Sequence, residues 1–162
     1  MFAVAVSVSE GVRAAIAAAQ LTPEFTVERN YADWDLDLTK LDGFELKDTE
    51  KLRVDVVTHT TEQSVELASR GEISFRIPID IAVRRRFGVD KQNQTTGRIE
   101  VEEIDKLVLL VEEIYLLLVR SEIEDAEWQE LNILACPVRQ HLREWRQFTG
   151  IVRVVFEASR NV

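Results

Sequence analysis

The chain has 162 residues, a net charge of −9 at pH 7 and one cysteine. This length suits a single structural domain over residues 1–162, with enough chain to bury a substantial core. The excess of acid argues against general nucleic-acid binding and against attachment to an anionic membrane surface, and a lone cysteine excludes an internal disulfide.

The N-terminal segment is apolar and rich in alanine. Ser7 and Glu10 have the spacing of a capping box, which predicts a helix over about residues 9–20, ended by Thr22 and Pro23. The segment is not typical of a signal peptide, because no basic residue precedes the apolar run and Glu10 interrupts it. Elsewhere no stretch reaches the roughly 20 apolar residues that would cross a bilayer.

The following part of the chain contains short alternating runs. Residues 25–31 and 52–59 are predicted strands. Residues 60–69 are ambiguous, because their Thr-Thr-Glu-Gln opening could also cap a short helix. Between the two strands, residues 32–51 form an acidic connection that we expect spaced apolar side chains to anchor. These side chains are Leu36, Leu38, Leu41, Phe44 and Leu46.

The clearest strand is residues 75–83, where apolar side chains alternate with polar or small ones. The alternation predicts one apolar face and one solvated face. Pro78 has no N–H to donate to a neighbouring strand, so we expect this strand at a sheet edge or with a bulge. Residues 88–98 (GVDKQNQTTGR) are polar with two glycines, which predicts a mobile loop.

The strongest helical pattern covers residues 104–118, whose apolar side chains recur at intervals of three and four. Acidic residues crowd its first turns, where the helix dipole favours them. Residues 127–138 and 147–159 are the last two predicted strands. Because most strands follow one another without a helix between them, we predict an α+β fold. It would have a mostly antiparallel sheet packed against two main helices in two layers.

The densest acidic run is DWDLD, residues 33–37. An EF-hand calcium loop beginning at Asp33 would need glycine and glutamate where this chain has Leu38 and Phe44. Alternation along an extended segment instead turns the three acids toward water and Trp34, Leu36 and Leu38 toward the protein. We therefore predict no metal site here. The three outward acids are Asp33, Asp35 and Asp37.

No other constellation in the sequence predicts catalysis. His59 and His141 each lack a second histidine or cysteine at zinc-ligand spacing, and we expect them at the surface or at strand ends. Cys136 is expected to be a buried, inert thiol. Glu112 and Glu113 are adjacent on a predicted helix and so do not share a face. We expect neither enzymatic activity nor a cofactor.

The one basic concentration is Arg84, Arg85 and Arg86, at the end of a predicted strand. Three interpretations stay open: a solvated strand end, a contact with carboxylates of an adjacent subunit, and a contact with nucleic-acid phosphate. The acidity of the chain makes carboxylates a more natural partner than phosphate.

Several segments, taken in order, resemble small proteins of tailed-phage structural gene clusters. They are FTVERNY at 25–31, the leucine-spaced acidic connection, LRVDVV at 52–57 and EEIDKL at 102–107. Over most of its length the chain resembles the tail terminator, or tail completion, family of long-tailed bacteriophages. The resemblance implies an α+β fold with a sheet packed against helices.

The resemblance also implies a structural role in the virion tail or neck, with assembly in the host cytoplasm. Six copies would form a ring that caps the tail tube, stops its polymerisation and joins the tail to the head. The implied partners are further copies of the chain, the tail tube protein and the head–tail connector protein. DNA would pass through the lumen without specific binding, and no membrane partner is implied.

Two sets of residues are candidates for contacts in such a ring. Arg84, Arg85 and Arg86 would meet Asp33, Asp35 and Asp37 of the adjacent subunit, or these acids would line the lumen and repel DNA. The polar loop is the candidate for docking to the tube or connector. Its candidate residues are Asp90, Lys91, Gln92, Asn93, Gln94 and Arg98.

Three other functions fit the same residues. The chain could be a different head–tail connector or minor tail protein, which the position of its gene relative to the tube gene would distinguish. It could be a hydrolase whose site assembles from scattered residues of the acidic connection. It could also be a small regulatory or ligand-binding module.

Overall fold

The computed structural model describes residues 2–40, 50–59, 64–88 and 98–161. Within them the helices are α1 (Phe2–Ala18), α2 (Val101–Arg120) and the short α3 (Arg139–Trp145), with a 3-10 turn at Leu38–Lys40. The strands are β1 (Thr26–Asn30), β2 (Arg53–Thr58), β3 (Ser64–Ser69), β4 (Glu72–Arg86), β5 (Glu127–Ala135) and β6 (Gln147–Asn161).

The six strands form one sheet in the order β1-β2-β4-β6-β5, with β3 paired to the beginning of β4. The β1–β2 pair is parallel and the other pairs are antiparallel. The long central strands β4 and β6 pair along their whole length, from Glu72 opposite Asn161 to Arg86 opposite Gln147. The fold is therefore the predicted α+β class with a mostly antiparallel sheet.

The hydrophobic core lies between the sheet and the two long helices, on what we call the helix face. Helix α1 packs on β1, β2 and β4, and α2 packs on β6 and β5. A Cβ atom on Gly150 would lie 2.6 Å from Val111 Cγ2, so glycine is what allows α2 to approach β6 this closely. The buried side chains of α2 follow the predicted three- and four-residue spacing: Leu107, Leu110, Val111, Ile114 and Leu118.

Helix α1 begins at Phe2, well before the predicted start at residue 9. The capping-box prediction is wrong: Ser9 Oγ donates to the carbonyl of Ala5 inside the helix, and Glu10 binds Arg13 one turn later. Val4, Val8 and further residues at helical spacing are buried in the core. Burial of this stripe outweighs the local capping signal.

Strand β4 is central, so the prediction of an edge position for Pro78 is wrong. The Pro78 carbonyl accepts from His59 N at the end of β2, and its nitrogen points to the same side of the strand. Strand β2 ends at Thr58 and β3 begins at Ser64, so the missing donor falls between two neighbouring strands. This position tolerates proline within a central strand.

The second face of β4 is buried, whereas alternation predicted a solvated face. Asp80, Ala82 and Arg84 point to this face and are fully buried. Residues 33–38 and the short helix α3 lie over it. The described residues after β1 thus pass over the sheet, which fits the crossover that a parallel β1–β2 pair requires. We call this second surface of the sheet the polar face.

Two further predictions change. Within the ambiguous residues 60–69, the described part is strand β3 rather than a helix. The predicted strand 127–138 ends at Ala135, and α3 follows it where no helix was predicted. Leu41, Phe44 and Leu46 lie outside the described residues. None of the helices in the described part of the chain is long and apolar enough to cross a membrane.

Candidate functional site

The polar face of the sheet carries two clusters of charged side chains beneath the cover segment, which we define as Asp33–Leu38. The clusters come from alternate positions on β2, β4 and β6, because residues two apart on a strand point to the same face. One cluster is centred on Asp55 and the other on Asp80. Both carboxylates are fully buried.

The first cluster surrounds Asp55 with two arginines and an asparagine. Arg53 binds it through Nε and Nη2, at 2.7 and 2.5 Å. Arg84 Nη2 donates to Asp55 Oδ2 at 2.7 Å, and Asn30 Nδ2 donates to Asp55 Oδ1 at 2.6 Å. This carboxylate therefore joins β1, β2 and β4 through charge-assisted hydrogen bonds.

Arg84 is the most deeply buried cation in the described part of the chain, with 0% of its side chain exposed. Burial lowers the pKa of its guanidinium, and the attraction of Asp55 opposes that shift. Its Nε has no hydrogen-bond partner among the described residues. Asp55 is thus the main compensation for the cost of burying this charge.

The second cluster is centred on Asp80 of β4. Arg153 Nε and Nη2 bind its two oxygens at 2.7 and 2.9 Å, a bidentate pair. His59 Nε2 lies 2.7 Å from Asp80 Oδ2, which also accepts from Trp34 Nε1 at 2.9 Å. Burial alone would raise the pKa of Asp80, but the hydrogen bonds from His59 and Arg153 outweigh burial and lower the pKa.

Trp34 attaches the cover segment to both clusters. Its indole nitrogen binds Asp80, and its carbonyl accepts from Arg84 Nη1 at 3.4 Å. Further along, Gln147 binds the segment's backbone: its Oε1 accepts from Leu38 N and its Nε2 donates to Leu36 O. The fully buried Leu38 side chain completes the anchor.

The short helix α3 closes the other end of the cover. His141 is fully buried; its Nδ1 lies 2.7 Å from Thr149 Oγ1 and its Nε2 lies 2.7 Å from Asp35 Oδ1. The rings of His141 and Trp145 have centroids 4.2 Å apart. The prediction of a surface or strand-end histidine is therefore wrong for His141, while His59 does follow the end of β2.

The prediction that the acids of DWDLD face outward is confirmed for Asp33 and Asp35, although Asp35 also binds His141. Asp33 and Asp35 are exposed and Asp37 is half-buried, whereas Leu38 is buried. Asp33 Oδ1 accepts from Asp35 N, and Asp37 Oδ1 accepts from Thr39 N. These acids therefore shape the turn of the segment.

The three predicted arginines separate in the structure. Arg84 meets the cover segment of its own chain, so the expectation that it contacts an adjacent subunit is replaced by an internal role. Arg85 and Arg86 remain half-buried at the end of β4. Arg85 Nε donates to the carbonyl of Glu50, and its guanidinium lies over Phe87.

The candidate docking loop falls mostly outside the described residues: Asp90, Lys91, Gln92, Asn93 and Gln94 are not among them. Arg98 is described and exposed.

Cys136 is half-buried after β5, and burial, with a smaller effect of Glu112, raises its pKa to about 11. A thiol with this pKa stays protonated at neutral pH and is a poor nucleophile, as the sequence predicted.

The charged side chains of the polar face pair with one another within the chain. Arg153 binds both oxygens of Asp80, and the lowered pKa makes this carboxylate a weak base near neutral pH. No group of three or more metal-ligating side chains occurs in the described ranges. Sequence reasoning missed Asp55, Asp80, Arg53 and Arg153, because it assigned their strand face to water. The alternation of apolar and acidic residues in the cover segment was the available signal that this segment packs against the sheet.

The Asp55 cluster should dominate the stability of the polar face. Replacing Asp55 with Ala leaves the Arg84 charge buried without its carboxylate, and we expect a loss of about 3–5 kcal/mol in the free energy of unfolding. The control is Glu28→Ala, because Glu28 also lies near Arg53, at 4.0 Å, but is 69% exposed. Urea denaturation should give a change within about 0.5 kcal/mol for the control. Equal losses for the two variants would contradict this role.

Acid should weaken the Asp80 cluster in a defined direction. Because the folded pKa of Asp80 is lowered, its contribution is complete above the unfolded value of about 3.9 and is lost as pH falls through that value toward the folded pKa. In urea unfolding from neutral pH down to about pH 2.5, wild type should lose stability more steeply below about pH 4 than Asp80→Asn. Parallel curves for the two proteins would contradict the assignment.

Comparison with known proteins gives no further indication of the family. No family model matches the chain, and the search of curated proteins finds no match.

Proposed function

We propose that this protein is a structural subunit of a phage tail. It acts as a tail terminator: copies assemble into a ring that caps the tail tube, stops tube polymerisation and joins the tail to the head connector. The sequence resemblance to that family provides the specific role and the expected six copies. The α+β fold, with a sheet packed against helices, is what the resemblance implies and so supports the proposal.

The observation that carries the proposal is an open sheet edge, strand β5, with exposed apolar side chains on this strand and on the outer side of α2. Strand β5 is an edge strand, and most of its residues are exposed. Exposed apolar side chains lie on β5 and on the outer side of α2, where positions seven apart share a face. They are Trp128, Ile133 and Leu134 on β5 and Leu109, Leu116 and Val119 on α2. Apolar side chains next to an unpaired edge are typical of an assembly surface.

The distribution of charge points the same way. The buried ions of the polar face neutralise one another inside the subunit, so they leave little chemistry for a substrate. The outward acids Asp33, Asp35 and Asp37 remain candidates for the lumen of a ring, where negative charge would repel the passing DNA. Arg85 and Arg86 remain candidates for a subunit contact.

A different head–tail connector or minor tail protein is the nearest alternative. It would use the same assembly surface at another position in the virion. A gene located directly before the tail tube gene would favour the terminator.

Deletion of the gene from its phage genome tests the role directly. We expect lysates with tails of variable and excessive length that are not joined to heads, because nothing caps the growing tube. Expression of the wild-type gene from a plasmid should restore uniform, joined tails. Electron micrographs give the tail-length distribution and the fraction of tails joined to heads.

Two other outcomes would overturn the proposal. Uniform tails that fail to join heads would favour the connector alternative. Normal virions after deletion would contradict any tail role.

A further inference from the structure

A groove with apolar and basic lining lies between the start of α2 and the short helix α3. It has a volume of about 650 Å³. Its apolar lining is Ile99, Ile104 and Leu142, all half-buried. Four arginines complete the lining: Arg98, Arg139, Arg143 and Arg146. No carboxylate is among the described lining residues, which is unusual for a chain of net charge −9.

The opposite end of α2 has the complementary character. A groove of about 770 Å³ lies between the turn after α2, the start of β5 and the end of β6. Its exposed large apolar side chain is Trp128, 39% exposed, while Phe156, which also lines it, is buried. Four acids line it: Glu122, Asp125, Glu127 and Glu157. Its described lining contains no lysine or arginine.

The two grooves lie at opposite ends of the molecule. The basic groove includes Ile104 in the first turn of α2, and the acidic groove includes Ser121 directly after its last turn. A 20-residue helix is about 30 Å long. We call the residues that line these two grooves the basic end and the acidic end; Glu102 and Glu103 in the first turn of α2 lie outside the basic lining.

We infer that the basic groove is the docking site for the acidic end of a second copy of this chain. A contact between two different patches is heterologous, so an open assembly keeps one unused patch of each kind, one at each of its two ends, until a ring closes. Closure into a ring rests on the proposed function. The pairing of the two ends adds to that function the surfaces through which neighbouring subunits would bind.

The two ends are complementary in charge and in apolar surface. Arginine guanidinium groups bind carboxylates through paired hydrogen bonds, and partial burial on docking strengthens those bonds. Trp128 would lie against the apolar floor formed by Ile104 and Leu142, and tryptophan with arginine is the typical composition of an interface hot spot. Like-charged ends repel, which selects the head-to-tail arrangement over basic-to-basic or acidic-to-acidic contacts.

Charge reversal at each end tests the contact. Arg139→Glu with Arg143→Glu reverses two of the four positive charges of the basic groove, and Glu122→Lys with Glu127→Lys reverses two of the four negative charges of the acidic groove. All four side chains are exposed, so the fold should tolerate the changes. Each double variant alone should self-associate at least about a hundredfold more weakly than wild type, because the net attraction between the two patches is lost and the reversed side chains face like charges. Analytical ultracentrifugation over a concentration range measures the association.

Mixing the two double variants is the decisive step. Each variant then presents a patch that complements the other, so an equimolar mixture should recover wild-type assembly with the two chains in a one-to-one ratio. Glu124→Lys and Arg70→Glu are matched controls, because both residues are exposed and neither lines a groove. The controls should associate as wild type does. Circular dichroism of every variant verifies that it is folded.

Three results would overturn the inference. They are wild-type association in either double variant alone, no recovery on mixing, and a wild-type chain that stays at 18.6 kDa up to millimolar concentration. The first result leaves the ring proposal intact and moves the contact elsewhere. The tail-length phenotype of the deletion decides the proposed function independently of all three.

Discussion

The pairing of Arg84 with Asp55 is the constraint on which the rest of the polar face depends. A guanidinium with no exposed surface needs a carboxylate and a shield from water, and both come from specific parts of the chain. Asp55 comes from the neighbouring strand. The shield is the cover segment, which crosses the sheet before the chain returns to form β2 parallel to β1.

The same constraint explains why the sheet has two different faces. The helix face is apolar and packs against α1 and α2 in the usual way. The polar face is covered by the cover segment, which binds the charged groups through hydrogen bonds. The side chains of Trp34 and Leu38 are the apolar part of this cover. Because the ions of this face pair with one another inside the subunit, the surfaces left for interaction are the edge strand β5, the outer side of α2 and the grooves at the two ends of α2.

The sequence predicted those elements in which one local rule dominates. The apolar period of α2, the presence of a strand at β4 and the exposure of Asp33 and Asp35 agree with the structure. The predictions failed where tertiary packing overrides a local rule. Helix α1 begins before its capping signal because a stripe of its side chains is buried in the core. Pro78 is tolerated in the central strand β4 because it lies where β2 has ended and β3 has not yet begun to pair with β4.

The candidate site was harder to predict than the fold. Charged residues that alternate with apolar ones on a strand predict a face exposed to water. This face is buried instead because the cover segment, which is distant in sequence, lies over it. Arg84 shows the consequence: its sequence neighbourhood suggested a surface patch, whereas its partner Asp55 lies on another strand. The arginines of the basic groove are equally dispersed, since Arg98 precedes α2 while Arg139 and Arg143 belong to a short helix that the sequence pattern did not predict.

Native mass is the most direct test of the central claim, that this chain functions by assembling with copies of itself. Light scattering of the wild-type protein over a wide concentration range, with electron microscopy of the same samples, makes the measurement. The account predicts a mass that rises to a small fixed multiple of 18.6 kDa, with ring-shaped particles on the grid. A mass of 18.6 kDa at every concentration, with no rings, would contradict it.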